Sequence, residues 1–318
     1  MILVTGGTGQ IGSRLLLNLT KNKAYKVRAI YRNTQSLEKI RQLFVKHSDS
    51  GAAQFDTIEW IQADLSNIPA LEKAFEGVTF VFHCAGLISF QPQDFDKLIE
   101  VNVQGTANIV NLSIDFGVKK LCYVSSVATL STLPHTPIDE ENDWNNEDNN
   151  TDYAISKHGA EMEVWRGSQE GLPVVIVNPS VVLGGDFADR GSGLLYKKVA
   201  DGLRYYPAGA TGFVGVDDVV RAMVQLQFSE VAGERFVLNA ENLTYKAVLE
   251  RIAKQLGVKA PTKRVSHQML RFLARLDGVL SFLHLKKRTL TLASADALGT
   301  VTTYNGEKIK KHIDFNYE

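Results

Sequence analysis

Tyr153 and Lys157 stand one helical turn apart in TDYAISKHGAE, residues 151–161, so a phenol and an ammonium share one face at the start of a helix. A free tyrosine titrates at about pH 10 and is a poor acid/base near neutrality. An adjacent ammonium favours the phenolate, so Lys157 is expected to bring Tyr153 toward the range in which it gives and takes protons. Ser125 and Ser126 end the run KLCYVSS, residues 120–126. In an open α/β sheet ligands lie at that edge, and a hydroxyl there can hydrogen-bond a reacting oxygen. Together the three residue types make a hydride-transfer site for an alcohol/carbonyl couple.

Hydride transfer needs a carrier, and TGGTGQIG follows the first apolar run and opens a helix. Glycines at 6, 9 and 12 permit a tight turn, close approach of backbone to a pyrophosphate and close packing of helix on strand. The spacing is GxxGxxG rather than GxGxxG. A carboxylate for the ribose 2′-hydroxyl is expected at the end of the second strand. That strand ends AIYRN and offers Arg32 instead. A guanidinium suits a 2′-phosphate, and Lys39, about two helical turns on, adds charge. NADP is therefore favoured, with NAD left open. Asp64 in QADLS can take the adenine amino group while Leu65 covers the ring edge; alternatively Asp64 begins a turn.

The elements that position these groups alternate. ILV (2–4), YKVRAIY (25–31), TIEWI (57–61), TFVFHC (79–84), KLCYVSS (120–126) and PVVIVNPS (173–180) are strand candidates, separated by helix-period segments that include 94–116 and the Tyr-Lys helix. This predicts an α/β fold, a Rossmann-like doubly wound parallel sheet with a smaller mixed α/β C-terminal substrate lobe. The expected division is 1–180 for the dinucleotide-binding domain and 181–318 for the lobe, with a segment around 213–235 a candidate to return to the first. Helices are expected at 217–228, 244–257, 266–284 and 289–297. Residues 134–152, acidic and Asn-rich, are a loop delivering the chain to Tyr153, and 184–193 is a flap or plain surface loop.

With 318 residues, 44% of them hydrophobic, the chain can bury a sizeable core. Lys+Arg and Asp+Glu both number 35, so no global charge holds the protein against nucleic acid or an anionic membrane. Cys84 and Cys122 lie in strand-like runs and suggest buried thiols in a reducing compartment. Seven scattered histidines and two cysteines without ligand spacing give no metal site, and His83 is a packing or cofactor-lining residue. The N-terminus meets glycine too early for a signal peptide, so cytoplasmic residence is expected. No stretch has the roughly 18 apolar residues of a membrane span. MLRFLARLDGVLSFLHL, broken by Arg271, Arg275, Asp277 and Gly278, is expected to be an amphipathic helix packed on the body, with membrane association through it the lesser alternative. The KKR run at 286–288 and KIKKH at 308–312 are solvated faces.

Taken in order, TGGTGQIG, DL at 64–65, HCAG at 83–86, NVQGT at 102–106, YVSS at 123–126, YAISK at 153–157, NPSVVLG at 178–184 and VGVDDVV at 214–220 resemble the extended short-chain dehydrogenase/reductase superfamily. The likeness is to its epimerase/dehydratase and dihydroflavonol-reductase-like members. GERFVLNAENLTYKAVLERIA resembles their substrate lobe and YNGEKIKKHIDFNYE their tail. The resemblance implies a nicotinamide cofactor held by Gly6, Thr8, Gly9, Gln10, Ile11, Gly12, Arg32, Lys39, Asp64, Leu65, Cys84, Ala85, Gly86, Asn102, Tyr153, Lys157, Pro179 and Ser180. Tyr153 is then the acid/base, Lys157 its tuner and Ser126 the strand-end serine. Asn102 supports the lysine through a water, Val101 packs, and Pro179 with Ser180 flanks the nicotinamide. Asn178 departs from the arginine of many sugar-nucleotide members, and Ser131 occupies the position that orients flavonoid in plant dihydroflavonol reductases.

Three functions follow. The first is NADPH-dependent reduction of a small-molecule ketone or aldehyde. The second is a nucleotide-sugar epimerase with tightly bound NAD, in which Arg190, Lys197, Lys198 and Arg204 meet a diphosphate. A dehydratase would carry an acid after the serine, where Val127 stands. The third is a non-enzymatic cofactor sensor, disfavoured because Tyr153 and Lys157 are both present. A small-molecule partner, no nucleic acid and no membrane are expected. A homodimer through helices 94–116 and 153–170 is compatible with their apolar faces.

Overall fold

The computed structural model describes residues 1–132, 137–187, 191–282 and 290–318, so Arg190, the KKR run, and parts of the 134–152 and 184–193 loops and of the 266–284 helix lie outside the described residues. Among the described residues the strands are β1 (Ile2–Thr5), β2 (Val27–Tyr31), β3 (Glu59–Gln62), β4 (Phe80–His83), β5 (Lys120–Val124), β6 (Val174–Pro179), β7 (Val181–Leu183), β8 (Tyr205–Pro207), β9 (Ala210–Gly215), β10 (Glu234–Leu238), β11 (Glu241–Thr244) and β12 (Lys263–Val265).

Seven strands form one sheet in the order β10-β6-β5-β4-β1-β2-β3, all pairs parallel. The chain leaves β1 in one direction and β4 in the other, which opens a crevice at the carboxyl edge where the glycine turn and the strand-end serines meet. β5 and β6 are buried along their whole length because helices cover both faces, and their apolar runs provide for that. On one face Leu15, Leu16, Ile40, Phe44, Val219 and Met223 pack on the sheet; on the other, Leu71, Phe75, Ile109, Val110, Ala160 and Val164 do so.

Helix starts follow local chemistry. Asn33, Asn67 and Thr151 each accept a backbone N–H of the first turn, from Gln35, Ala70 and Ala154 at 2.8, 3.2 and 3.1 Å. The helix expected over 94–116 is interrupted. Phe95–Leu98 is α-helical, Ile99–Gln104 is a π-turn, and Gly105–Asp115 is α-helical again. Asn102 sits in the π-turn, as such turns often sit at functional sites.

Residues 216–238 cross back from the lobe, since helix Val216–Gln227 packs on the first helix and β10 extends the main sheet beside β6. The lobe itself holds the mixed sheet β11-β9-β7 and the pair β12-β8. Two short helices, Gly193–Ala200 and Leu292–Gly299, and two longer ones, Tyr245–Leu256 and His267–Phe282, complete it.

Candidate active site

At the glycine turn Gly6 has φ +68°, and a Cβ on it would lie 2.6 Å from the Ala85 nitrogen. A Cβ on Gly12 would lie 2.2 Å from the Gly6 carbonyl. The first helix starts at Gln10 with Gly9 as its N-cap, so its unpaired N–H groups and dipole face this narrow turn. That is a cradle which side chains would fill, and it fits a dinucleotide pyrophosphate. Cys84, Ala85 and Gly86 continue from β4 against it, and Ile11 packs into the core behind. The Gln10 side chain reaches instead to the lobe, donating to Ser192 Oγ at 3.1 Å. Thr8 completes the turn.

Arg32 extends from the end of β2 with its side chain 68% exposed, 3.9 Å from Asp64. Lys39 is exposed on helix Thr34–His47. Asp64 Oδ1 accepts from the Ser66 N–H and Oγ at 3.3 Å, the turn-forming alternative. The Leu65 side chain packs against Gly105, beside helix Gly105–Asp115.

The catalytic candidates meet at the ends of β5 and β6. Ser126 Oγ accepts from the Ala128 N–H at 3.1 Å, which leaves its hydroxyl proton to point elsewhere, and it hydrogen-bonds the Tyr153 phenol. Lys157 is buried. Its Nζ donates to Tyr123 Oη at 2.5 Å and to the Val124 carbonyl at 2.9 Å, and lies 4.3 Å from the Tyr123 ring centre. Burial lowers Lys157 to about 7, with Glu161 opposing. Burial likewise pushes Tyr153 up to about 12, with the Ser126 hydrogen bond opposing. The expected lowering of Tyr153 by Lys157 is thus outweighed: desolvation dominates, and the phenol is held in its protonated, proton-donating form.

Asn102 Oδ1 accepts from the Leu87 N–H at 2.7 Å, and its Nδ2 donates to the Leu87 carbonyl at 3.0 Å and Ser156 Oγ at 2.9 Å. It clamps the chain after HCAG to the Tyr-Lys helix. Ser180 donates to the Leu238 carbonyl at 3.2 Å, and Pro179 ends β6 at the same edge. Ser131, at the position that orients flavonoid in plant dihydroflavonol reductases and whose serine speaks against a flavonoid substrate, donates to Asp148 at 2.7 Å and is buried. Lys197 pairs with Asp201 at 2.7 Å.

Two features escaped the sequence reading. Phe90 stands edge-on to Tyr153, ring centres 5.7 Å apart, with Ile88 exposed beside it in the chain. Glu161, 1% exposed, accepts from Ser125 Oγ at 2.5 Å, Thr129 Oγ1 at 3.0 Å and Asn178 Nδ2 at 2.9 Å, and pairs with Arg235 at 3.4 Å. The signal was present, for Tyr153, Lys157 and Glu161 recur at one-turn intervals on one helix face.

The 184–193 segment is tied down at its described ends. Asp186 accepts from His47 Nε2 at 2.7 Å and Lys46 Nζ at 3.1 Å, and Gly184 N–H donates to Ser192 Oγ at 3.2 Å. A cavity of about 550 Å³ here, lined by Arg14, His47, Asp186, Tyr196 and Asp217 among others, holds none of the catalytic candidates. Among the described residues no cluster of His, Cys, Asp and Glu could hold a metal, and no helix is long and apolar enough to cross a membrane. Both cysteines are free thiols.

His83 is fully buried, with Nδ1 2.6 Å from Thr5 Oγ1 and Nε2 2.9 Å from Thr106 Oγ1. Burial and the Lys157 charge lower it to about 3 from 6.5, so it is neutral in the folded state. Between those values the unfolded chain binds a proton that the folded one does not, so stability rises with pH. Acidification from 6.5 toward 3 should therefore cost about 1.4 kcal/mol per pH unit through this residue. Urea denaturation across that window checks it, and His83→Phe should flatten the slope. An equal slope in the variant would assign the acid sensitivity elsewhere.

A parallel sheet whose switch point carries a glycine cradle, a strand-end serine and a Tyr-Lys helix defines a dinucleotide-dependent oxidoreductase site. The chain belongs to the NAD dependent epimerase/dehydratase family, which matches residues 2–238, and so to the extended short-chain dehydrogenase/reductases, enzymes that use NAD(P). It is 28% identical to sterol demethylase protein B of Methylococcus capsulatus over 90% of this chain and 84% of that protein. It is 30% identical to tetraketide alpha-pyrone reductase 2 of Arabidopsis thaliana over 78% of this chain and 80% of that one. The solved structure of gox2253 superposes with a TM-score of 0.79 at 26% identity, covering 100% of this chain and 93% of that one.

Proposed function

We propose that the protein is an NADPH-dependent reductase of a small-molecule ketone or aldehyde. The observation that carries this is Arg32, an exposed guanidinium directly after β2, where a side-chain carboxylate for the ribose 2′-hydroxyl would otherwise stand. Gly6, Gly9 and Gly12 would hold the pyrophosphate, Arg32 and Lys39 the 2′-phosphate, and Cys84, Ala85, Gly86, Pro179 and Ser180 the nicotinamide half. The dinucleotide supplies the hydride.

Tyr153 delivers its phenolic proton to the carbonyl oxygen as negative charge develops there, and a phenol kept protonated by burial is suited to that direction. The Ser126 hydroxyl donates a second hydrogen bond to the same oxygen. Lys157 fixes the local charge from below, anchored on Tyr123 and the Val124 carbonyl. Phe90 gives the carbonyl an apolar neighbour, which favours a substrate with an apolar face next to the reacting carbon. Likeness to a protein named as a reductase supports the same direction.

Titration with NADPH and NADH, read by bound-cofactor fluorescence, tests the reading. Wild type should prefer NADPH, and Arg32→Ala with Lys39→Ala should weaken NADPH alone by roughly tenfold to a hundredfold, the worth of a charge-assisted contact. Equal affinity for NADH, or protein purified with unexchangeable NAD and able to bind a UDP-, GDP- or TDP-sugar, would replace the reductase by an epimerase.

A further inference from the structure

Helix His267–Phe282 carries two apolar stripes, and among the described residues only one has a partner. Leu270 and Ala274 are buried against Ala295 and Leu298 of helix Leu292–Gly299. On the other side Met269, Phe272, Leu273 and Leu276 are 50, 55, 43 and 45% exposed. At about 100° per residue these four share one arc of about 100°, adjoining the packed stripe. Scattered exposed apolar residues are ordinary, but four in one arc of one helix mark a binding surface.

The charge around the stripe says what it meets. From Lys259 to Phe282 the bases are Lys259, Lys263, Arg264, Arg271 and Arg275, against the single acid Asp277. Asp277 is buried and accepts the Leu290 N–H at 2.8 Å, while Arg271 is answered by Asp296 at 3.3 Å. Lys259, Lys263, Arg264 and Arg275 are all exposed. Lys263 lies over the ring of Tyr205, itself 52% exposed, so strands β12 and β8 carry basic and aromatic surface in the same part of the lobe. In a chain whose total charge is zero, the segment that carries the exposed apolar stripe is thus locally rich in positive charge.

We propose that this face docks on an anionic lipid surface. The helix lies in the plane of the interface with Met269, Phe272, Leu273 and Leu276 among the acyl chains, and Lys263, Arg264 and Arg275 meet the head groups. Binding is peripheral, since among the described residues no helix is of spanning length and apolarity. The surface is independent of the reaction assigned above.

Flotation of the full chain with vesicles of phosphatidylcholine alone, or with phosphatidylglycerol added, is the test. Wild type should float with the mixed vesicles, weakly or not at all with phosphatidylcholine, and less as salt is raised. Phe272→Ser with Leu276→Ser should lower the vesicle partition on the order of a hundredfold, with circular dichroism and cofactor fluorescence unchanged. Should that variant misfold, Lys263→Glu with Arg275→Glu tests the electrostatic half and should abolish binding to the anionic vesicles. The proposal is overturned if wild type ignores anionic vesicles or binds both compositions alike. It is also overturned if soluble variants bind as wild type does. Sedimentation showing a wild-type oligomer that the Ser variant dissociates, without vesicle binding, would assign the face to a second copy and overturn it too.

Discussion

Tyr153→Phe is expected to lower carbonyl reduction by roughly a hundredfold to ten-thousandfold, with NADPH affinity almost unchanged. The phenylalanine ring keeps the contact with Phe90 and the helix start, so the loss isolates the hydroxyl. Because burial holds the phenol up to about 12, wild-type Tyr153 remains a proton donor throughout the neutral range. Its removal leaves the developing alkoxide with Ser126 alone. Single-turnover measurement with bound NADPH separates chemistry from binding. A rate within threefold of wild type, with NADPH still bound, would remove Tyr153 from the acid role and take the proposed mechanism with it.

Glu161→Leu carries the largest expected cost to stability, about 3–5 kcal/mol, the cost of breaking a buried ion pair by removing one partner. Ser125, Thr129 and Asn178 would lose a buried acceptor, and Arg235 would keep only the Glu140 carbonyl and Asp143. Glu161→Gln retains an acceptor for two of these donors and should cost distinctly less. The network also reaches the site, since Asn178 donates to the Ser126 carbonyl at 3.2 Å and Glu161 opposes the lowering of Lys157. Turnover should therefore fall in the Gln variant beyond what its stability explains. Urea unfolding and kcat on the same preparations decide it; a Leu variant within 1 kcal/mol of wild type would show that the network contributes little.

Features that depend on short-range pattern can be read from the residues alone. Apolar runs such as KLCYV and VVIVNP, alternating with helix-period segments, dictate a parallel sheet covered on both faces, because only two-sided burial suits such runs. The glycine turn and the one-turn spacing of Tyr153 and Lys157 are likewise local, and their placement on one sheet edge follows from ending a strand or starting a helix there. Tertiary structure decided the rest, for reasons of distance and dielectric. The three-residue strand β7 finds β9 only across some 30 residues, so its pairing has no local signature. The six-residue helix Gly51–Asp56 is too short to announce itself by periodicity. Sequence put the ammonium beside the phenol, but the depth of burial set the sign of the shift on Tyr153, and burial belongs to the assembled core. The amphipathic helix at 267–282 was legible as a pattern, yet which of its apolar stripes is covered was fixed only when Leu292–Gly299 packed on one of them.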